Sequence, residues 1–410
     1  MKKIISLSLV LVLIFSLTAC SKKAPVNQNI ELTIWEQMPN DSGQNFDEIA
    51  AKFMEANPNI TVTRTHYETE QLRTNFQSAA LAGEGPDLVY GPSDNVGIFT
   101  ASTLIQPITN VVSEDFLKKF APNALSDGKV DGEYWELPDV VGNQIAMLYN
   151  KDMIKEAPKT WNDLVKVASK YQDPANGKYG FLYNEKEPFW FVAWFGAYGG
   201  QVFDEKRNPM LDSDAMVKAL QFTSDIRSKY KLGEVDMNYD MADAMFKDGN
   251  AAIILNGAWS WSSYKDAGIN LGIAPLPTVP GGTNGMPFSS TKGYMISKFM
   301  PEEKKEALNK FFEFFLSSEN DAKIALQKAE APTNLKAREL DSVKNDELQK
   351  SSLATIDYTT PMPIIPEMRA IWDAIRPELE AVISGDTTPK DAAKEMQKKA
   401  IDGINTIKGE

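Results

Sequence analysis

The residues of this chain best equipped for chemistry are flat rings that close short apolar strands. Trp259 follows Ala251-Ala252-Ile253-Ile254-Leu255 and the turn Asn256-Gly257, Trp35 closes the alternating run Glu31-Leu32-Thr33-Ile34, and Tyr90 closes Asp87-Leu88-Val89. Open α/β sheets bind ligands beyond the carboxyl ends of their strands, so these rings are expected to line one cleft. Phe189-Trp190-Phe191 and Trp194 are a second group. Trp190 and Trp194 lie four apart and read most simply as one apolar helix face. A ring on a cleft floor matches the apolar C–H face of a pyranose, while carboxylates, amides and guanidinium groups at the rim take its hydroxyls. Each stack contributes about 1 kcal/mol beyond burial, and micromolar affinity needs about 8 kcal/mol, so several rings and charged hydrogen bonds must act together.

Other chemistries are poorly supplied. Cys20 is the only cysteine and His66 the only histidine, so no intramolecular disulfide and no thiolate or histidine zinc cluster can form, and no metal or cofactor is expected. Cys20 follows Leu17-Thr18-Ala19 at the end of an apolar run from Ile4 that opens with Lys2-Lys3. That run is shorter than the roughly 20 apolar residues of a spanning helix, and its charge, length and small residues are those of a signal peptide. Because it ends in cysteine it resembles the bacterial lipobox, in which the cysteine becomes an acylated N-terminus; a buried free thiol is the alternative. Residues 1–19 are then leader and 20–30 tether, and the acyl chains hold the protein to the outer face of the cell membrane. Loss of Lys2 and Lys3 takes 43 basic residues to 41 against 56 acidic ones, and the formal charge from −13 to −15. The densest basic runs are only Lys304-Lys305 and Lys398-Lys399, so nucleic acid is excluded as a partner.

The elements that must position the rings alternate in type. Phe46, Ile49, Ala50, Phe53 and Met54 fall at helical spacing before Asn57-Pro58. Ile60-Thr61-Val62-Thr63 is a strand, a helix from about Leu72 to Leu81 stops at Gly83, and the strand at Asp87 ends in Gly91-Pro92. Strand, helix, strand, helix, strand implies an α/β fold with a mostly parallel sheet. Helices near 161–171, 216–230 and 242–247 precede the strand at Ala251 and make a second such unit. A strand at Gly293-Tyr294-Met295-Ile296, a helix from Glu302 to Leu316 and a helical C-terminus from Thr388-Pro389 follow. About 390 residues after the leader call for two domains.

Several short stretches, in this order, carry a family resemblance: Gly83-Glu84-Gly85-Pro86-Asp87 running to Tyr90 and Asp94; Leu148-Tyr149-Asn150-Lys151-Asp152; Pro158-Lys159-Thr160-Trp161; Glu187-Pro188; Gly199-Gly200; Asn256-Gly257-Ala258-Trp259-Ser260-Trp261; and Ile365-Pro366-Glu367-Met368 leading to Trp372 and Arg376. With them the chain resembles the bacterial extracellular solute-binding proteins of ABC sugar importers, most nearly the maltose/maltodextrin binders. The resemblance implies a two-lobe, type II periplasmic-binding-protein fold with discontinuous lobes, 31–141 plus 289–340 and 142–288 plus 348–407, joined by hinge crossovers near Val141-Gly142, near Phe288-Ser289 and around Leu340 to Leu348. It implies a monomer that closes on an oligosaccharide in the interlobe cleft and delivers it to membrane permease subunits. Trp259 and Trp372 match the family's stacking tryptophans, and Phe189 stands where a tyrosine is usual. Asp94, Glu187 and Arg376 match its polar contacts.

Departures cluster in the first lobe. Gly91 stands where the maltose binders usually carry a tryptophan, Asn143 where they carry an acid, and Asn95 where they carry an arginine; the loop Gln37 to Ser42 also differs, with Asp41 as its candidate contact. Another oligosaccharide is therefore an alternative ligand within the same class. Two readings from other classes remain. A surface glycoside hydrolase would use Asp94 and Glu187 as its acid and base, with carboxyl groups about 5 Å or 6.5–9.5 Å apart. A lipid-anchored adhesin would bind polysaccharide ends without transport.

Overall fold

The computed structural model describes residues 29–234 and 237–409; the leader and Cys20 lie outside the described residues. The chain opens with β1 (Ile30–Glu36), α1 (Asn40–Ala56), β2 (Ile60–His66), α2 (Thr69–Leu81), β3 (Leu88–Pro92) and α3 (Asp94–Ala101). The period switches that announce these elements are real. In β1 the alternation sends Leu32, Ile34 and Glu36 inward and leaves Thr33 and Trp35 half-buried on the other face. After β4 (Glu136–Gly142) the chain crosses to a second sheet with β5 (Ile145–Asn150) and β6 (Tyr179–Tyr183). There α4 (Pro188–Ala197), α5 (Asp214–Ser228), β7 (Ala251–Gly257) and β8 (Leu271–Ala274) follow. It returns through β9 (Phe288–Ser297), α6 (Lys305–Phe315), α7 (Ser318–Lys328) and β10 (Ala331–Pro332), and ends in α8 (Glu347–Ile356), α9 (Met368–Ser384) and α10 (Pro389–Lys408).

The first sheet runs β10-β4-β9-β3-β1-β2, with two short strands, Ile105–Gln106 and Thr360–Pro361, also paired to β9. The second runs β8-β5-β7-β6. The expected mostly parallel sheet is found for β1, β2 and β3 and for the pair β6 and β7, while both sheets are mixed. β9 lies antiparallel between β3 and β4, and β5 is antiparallel to both neighbours. β9 enters from the other sheet and not through a local strand–helix–strand crossover, so the handedness rule that enforces parallel pairing does not act on it.

Each sheet has its own apolar core. In the first, Phe311 of α6 stacks on Phe315 at 4.2 Å between ring centres, and Phe315 meets Phe46 of α1 at 4.8 Å. In the second, Trp161 is ringed by Phe222 at 4.7 Å, Phe181 at 5.5 Å and Trp194 at 6.0 Å. α4 buries nearly every residue, so Trp190 and Trp194 belong to a helix enclosed on almost all sides and not to a single apolar face. A helix hydrophobic all round can sit only inside the protein.

The crossings lie side by side: Gly142 is opposite Ser290, and Phe288 and Ser289 are opposite Thr360 and Pro361. Gly142 has φ 149° and Asn143 φ 49°, a sharp reversal between β4 and β5. Gln144 then donates to the backbone carbonyl and hydroxyl of Ser352 on α8 at 3.2 and 3.0 Å.

Candidate functional site

β7 delivers Trp259 on the short turn that follows its carboxyl end, as the strand pattern predicts. Its ring lies 6.1 Å from that of Trp190, edge to face, and 6.5 Å from that of Phe189, and its Nε1 donates to Tyr239 Oη at 3.0 Å. Trp190 is held in turn by a 2.9 Å bond from its Nε1 to the Leu255 carbonyl of β7. The Lys292 ammonium of β9, in the other sheet, sits 4.3 Å from the centre of the Trp259 ring. Burial pushes the Lys292 pKa down, with Glu330, whose carboxylate lies 3.6 Å away, opposing it.

The charged half is built on three helices. Asp94 opens α3, Glu187 immediately precedes Pro188 at the start of α4, and Trp372 and Arg376 stand one turn apart on α9. Arg376 donates a forked pair to Glu187 at 2.5 and 3.2 Å, and Trp372 Nε1 donates to Asp94 Oδ2 at 3.0 Å. α2 completes the arrangement: Glu70 accepts from Arg369 at 2.8 Å, from Arg376 at 3.4 Å and from Arg73 at 3.0 Å. Burial raises the carboxyl pKa of both Asp94 and Glu187, against the guanidinium groups of Arg73 and Arg376 respectively. Such groups cost free energy to bury as charges, and forked guanidinium pairing offsets that cost. Asp94 Oδ1 is buried and has no hydrogen-bond partner among the described residues. Rings, forked cations and a partly unused carboxylate together suit a ligand with apolar faces and many hydroxyls.

The structure thus brings Asp94, Glu187, Phe189, Trp259, Trp372 and Arg376 into one chain of contacts. It places others elsewhere. Trp35 packs edge-on to Tyr67, ring centres 5.0 Å apart, in the apolar cluster around Leu72 and Phe76. Tyr90 is 1% exposed; its hydroxyl donates to Asp139 at 3.0 Å and accepts from Lys328, so its ring faces the core and not the cleft. β3 runs on through Gly91 to Pro92, so Tyr90 lies within the strand, opposite Tyr294 of β9, and its parity turns it to the core. Asn143 is a crossover residue: its amide donates to Glu330 at 2.9 Å and its side chain to Ser290 at 2.9 Å. Asp41 lies in the first turn of α1, and its side chain lies outside the described residues. Sequence reasoning missed Glu70, Arg73, Lys292 and Tyr239. Glu70 and Arg73 read as an ordinary i,i+3 surface pair, and only a contact across to α9 marks them out.

Comparison with known proteins now bears on this geometry. Residues 48–350 match the family described as bacterial extracellular solute-binding protein. The chain belongs to this family. Among relatives of this solute-binding protein, the maltotriose-binding protein of Pyrococcus abyssi is 30% identical over 86% of this chain and 77% of its own length. The galactooligosaccharide-binding protein of Bacillus subtilis is 28% identical over 94% and 93%. Among solved structures, the maltose/maltodextrin-binding domain from Bdellovibrio bacteriovorus bound to maltotriose superposes with a TM-score of 0.88 at 36% identity, covering 92% of this chain and all of that one. The two-lobe type II periplasmic-binding-protein fold expected from the motifs is the fold observed.

Proposed function

We propose that this solute-binding protein is the extracytoplasmic receptor of an ABC importer and takes maltotriose-type α-glucan oligosaccharides between its lobes. The observation that carries the reading is the joining of Trp259 and Phe189 with Glu187, Arg376, Trp372 and Asp94, which come from the turn after β7 and from the helices α3, α4 and α9. The similarity to maltotriose-binding proteins over nearly the whole chain supports the choice of ligand. We take the lobes as 31–141 plus 289–340 and 142–288 plus 348–407, a reading supported by the two separate sheets and the side-by-side crossings, with Thr360–Pro361 of the second lobe pairing back to β9. A sugar that touches both lobes binds the closed form better than the open one, and that difference drives closure. Permease subunits that recognise the closed form then receive only loaded receptor. The protein acts as a monomer and catalyses nothing. Glu187 is forked to Arg376 and Asp94 is tied to Trp372, which suits fixed acceptors better than a proton-cycling acid and base.

The test is calorimetric titration of the purified full-length chain with maltotriose. One-to-one saturation with a dissociation constant near micromolar, about 8 kcal/mol, is expected. A silent titration with maltotriose, but heat from a galactose oligosaccharide, would transfer the ligand to the second reading. That reading is favoured at one point: Gly91 has the Asn95 amide nitrogen only 3.0 Å from where a β-carbon would stand, with Gln37 beyond it, so this edge is polar and not aromatic. Silence with every oligosaccharide, together with reducing ends released from starch, would replace the receptor by a hydrolase.

A further inference from the structure

Arg73 is the most buried cation at the site, with a side chain 5% exposed, and nothing in the reading above uses it. We propose that Arg73 is a positioning residue for Asp94: reaching over from α2 and anchored on the buried Asn95 side chain, its guanidinium holds the Asp94 carboxylate with one oxygen kept for the ligand. The inference rests on the reading that Asp94 meets the sugar. Three acceptors engage the guanidinium. Nε donates to Asn95 Oδ1 at 2.6 Å, Nη1 to Glu70 at 3.0 and 3.1 Å, and Nη2 faces Asp94 Oδ2 at 3.5 Å. On that same Oδ2 the Trp372 indole donates at 3.0 Å, while Oδ1 is buried without a partner. One carboxylate oxygen is thus fixed from two sides, while the other, closed off from solvent in this structure, keeps its acceptor capacity unspent, so a hydroxyl that reaches it when the cleft opens meets a carboxylate already oriented.

The charge environment of Asp94 follows from the elements around it. α2 contributes Arg73 and Glu70, α9 contributes Asp373 and Arg376 beside Glu70, and β4 contributes Glu136, itself pushed well up by burial. Of these Arg73 is the cation that directly opposes burial of the Asp94 carboxylate. Without it the Asp94 pKa moves further up, and the charged acceptor is lost as pH falls through that raised value.

The test compares Arg73→Gln, and the double variant Arg73→Gln/Asn95→Arg, with the parent, all as full-length chains. Maltotriose affinity is measured by calorimetry from pH 8 to pH 5, and the Asp94 carboxyl is titrated by ¹³C NMR without sugar. Arg73→Gln is expected to bind about tenfold or more weakly at neutral pH, with the deficit growing toward pH 5, and Asp94 is expected to titrate at a higher pH than in the parent. Placing a guanidinium at position 95 is expected to recover affinity and to bring the Asp94 titration back down. An Asp94 titration and a pH profile that match the parent, even with a lower melting temperature, would reduce Arg73 to a structural ion pair and overturn the proposal. So would a double variant as weak as the single one. If the Gln variant does not fold, Arg73→Lys keeps the charge but loses the fork, and the same readouts apply: a parent-like Asp94 titration with weakened binding is expected, and parent-like affinity would overturn the proposal. If the parent binds no maltotriose, the functional reading fails by itself, while the sugar-free titration still decides the role of Arg73.

Discussion

Trp259 and Trp372 reach the site by different routes, and only one is visible locally. Trp259 stands just past a strand that is buried along its whole length, β7, so its place at a strand end follows from a short apolar run and a turn. Trp372 is one of many inward positions on an amphipathic helix and differs from them only in what its indole nitrogen meets, Asp94. Removing either ring from the full-length chain by Trp259→Ala or Trp372→Ala is expected to weaken maltotriose binding by about 1–3 kcal/mol, through lost stacking and burial. Calorimetry on both variants checks this, with circular dichroism showing that they remain folded. Unchanged affinity in both would remove the aromatic argument. The carboxylates divide in the same way. Glu187 before a proline and an aromatic run is conspicuous, whereas Asp94 looks like any helix-opening aspartate until its unpartnered oxygen is seen.

At the scale of elements, α2, α4 and β7 were legible, because hydrophobic period and turn residues act over a few neighbours, whereas α3 and α9, which carry Asp94, Trp372 and Arg376, were not read as helices. The pairing of the elements was not legible either. The antiparallel β9 separates β3 from β4 and sets the crossings next to one another. Gly142 marks this point: its φ of 149° and a 2.7 Å approach of Gln144 Oε1 to the position of a β-carbon leave no room for a side chain. Gly142→Ala is therefore expected to cost about 1–3 kcal/mol of stability. Chemical denaturation of the parent and the variant measures it, and coincident midpoints would show that the crossover tolerates ordinary backbone. Tyr90 illustrates the limit of strand-end reasoning, since a shift of one residue in parity separates a cleft wall from the core.

For the whole molecule, capture of ligand and the proposed membrane attachment rest on different segments of the chain. No helix among the described residues is long and apolar enough to cross a membrane; we propose acylation of Cys20, on its lipobox-like setting, as the membrane attachment. Cys20→Ser in the producing cell is expected to shift the protein from the membrane fraction to the soluble fraction, because acylation requires the thiol. A variant that still sediments with membranes and enters the detergent phase would contradict the anchor. The sequence by itself determined the acidic charge, most of the α/β element order and the family motifs, since each is written in composition or in residues close along the chain. Only the tertiary structure decided which rings face one another, that Glu70 and Arg73 of α2 join Arg369, Arg376 and Asp94, and that Lys292 covers Trp259. Those contacts join segments far apart in the chain, and their partners are selected by packing of the two sheets and α9, which no local pattern encodes.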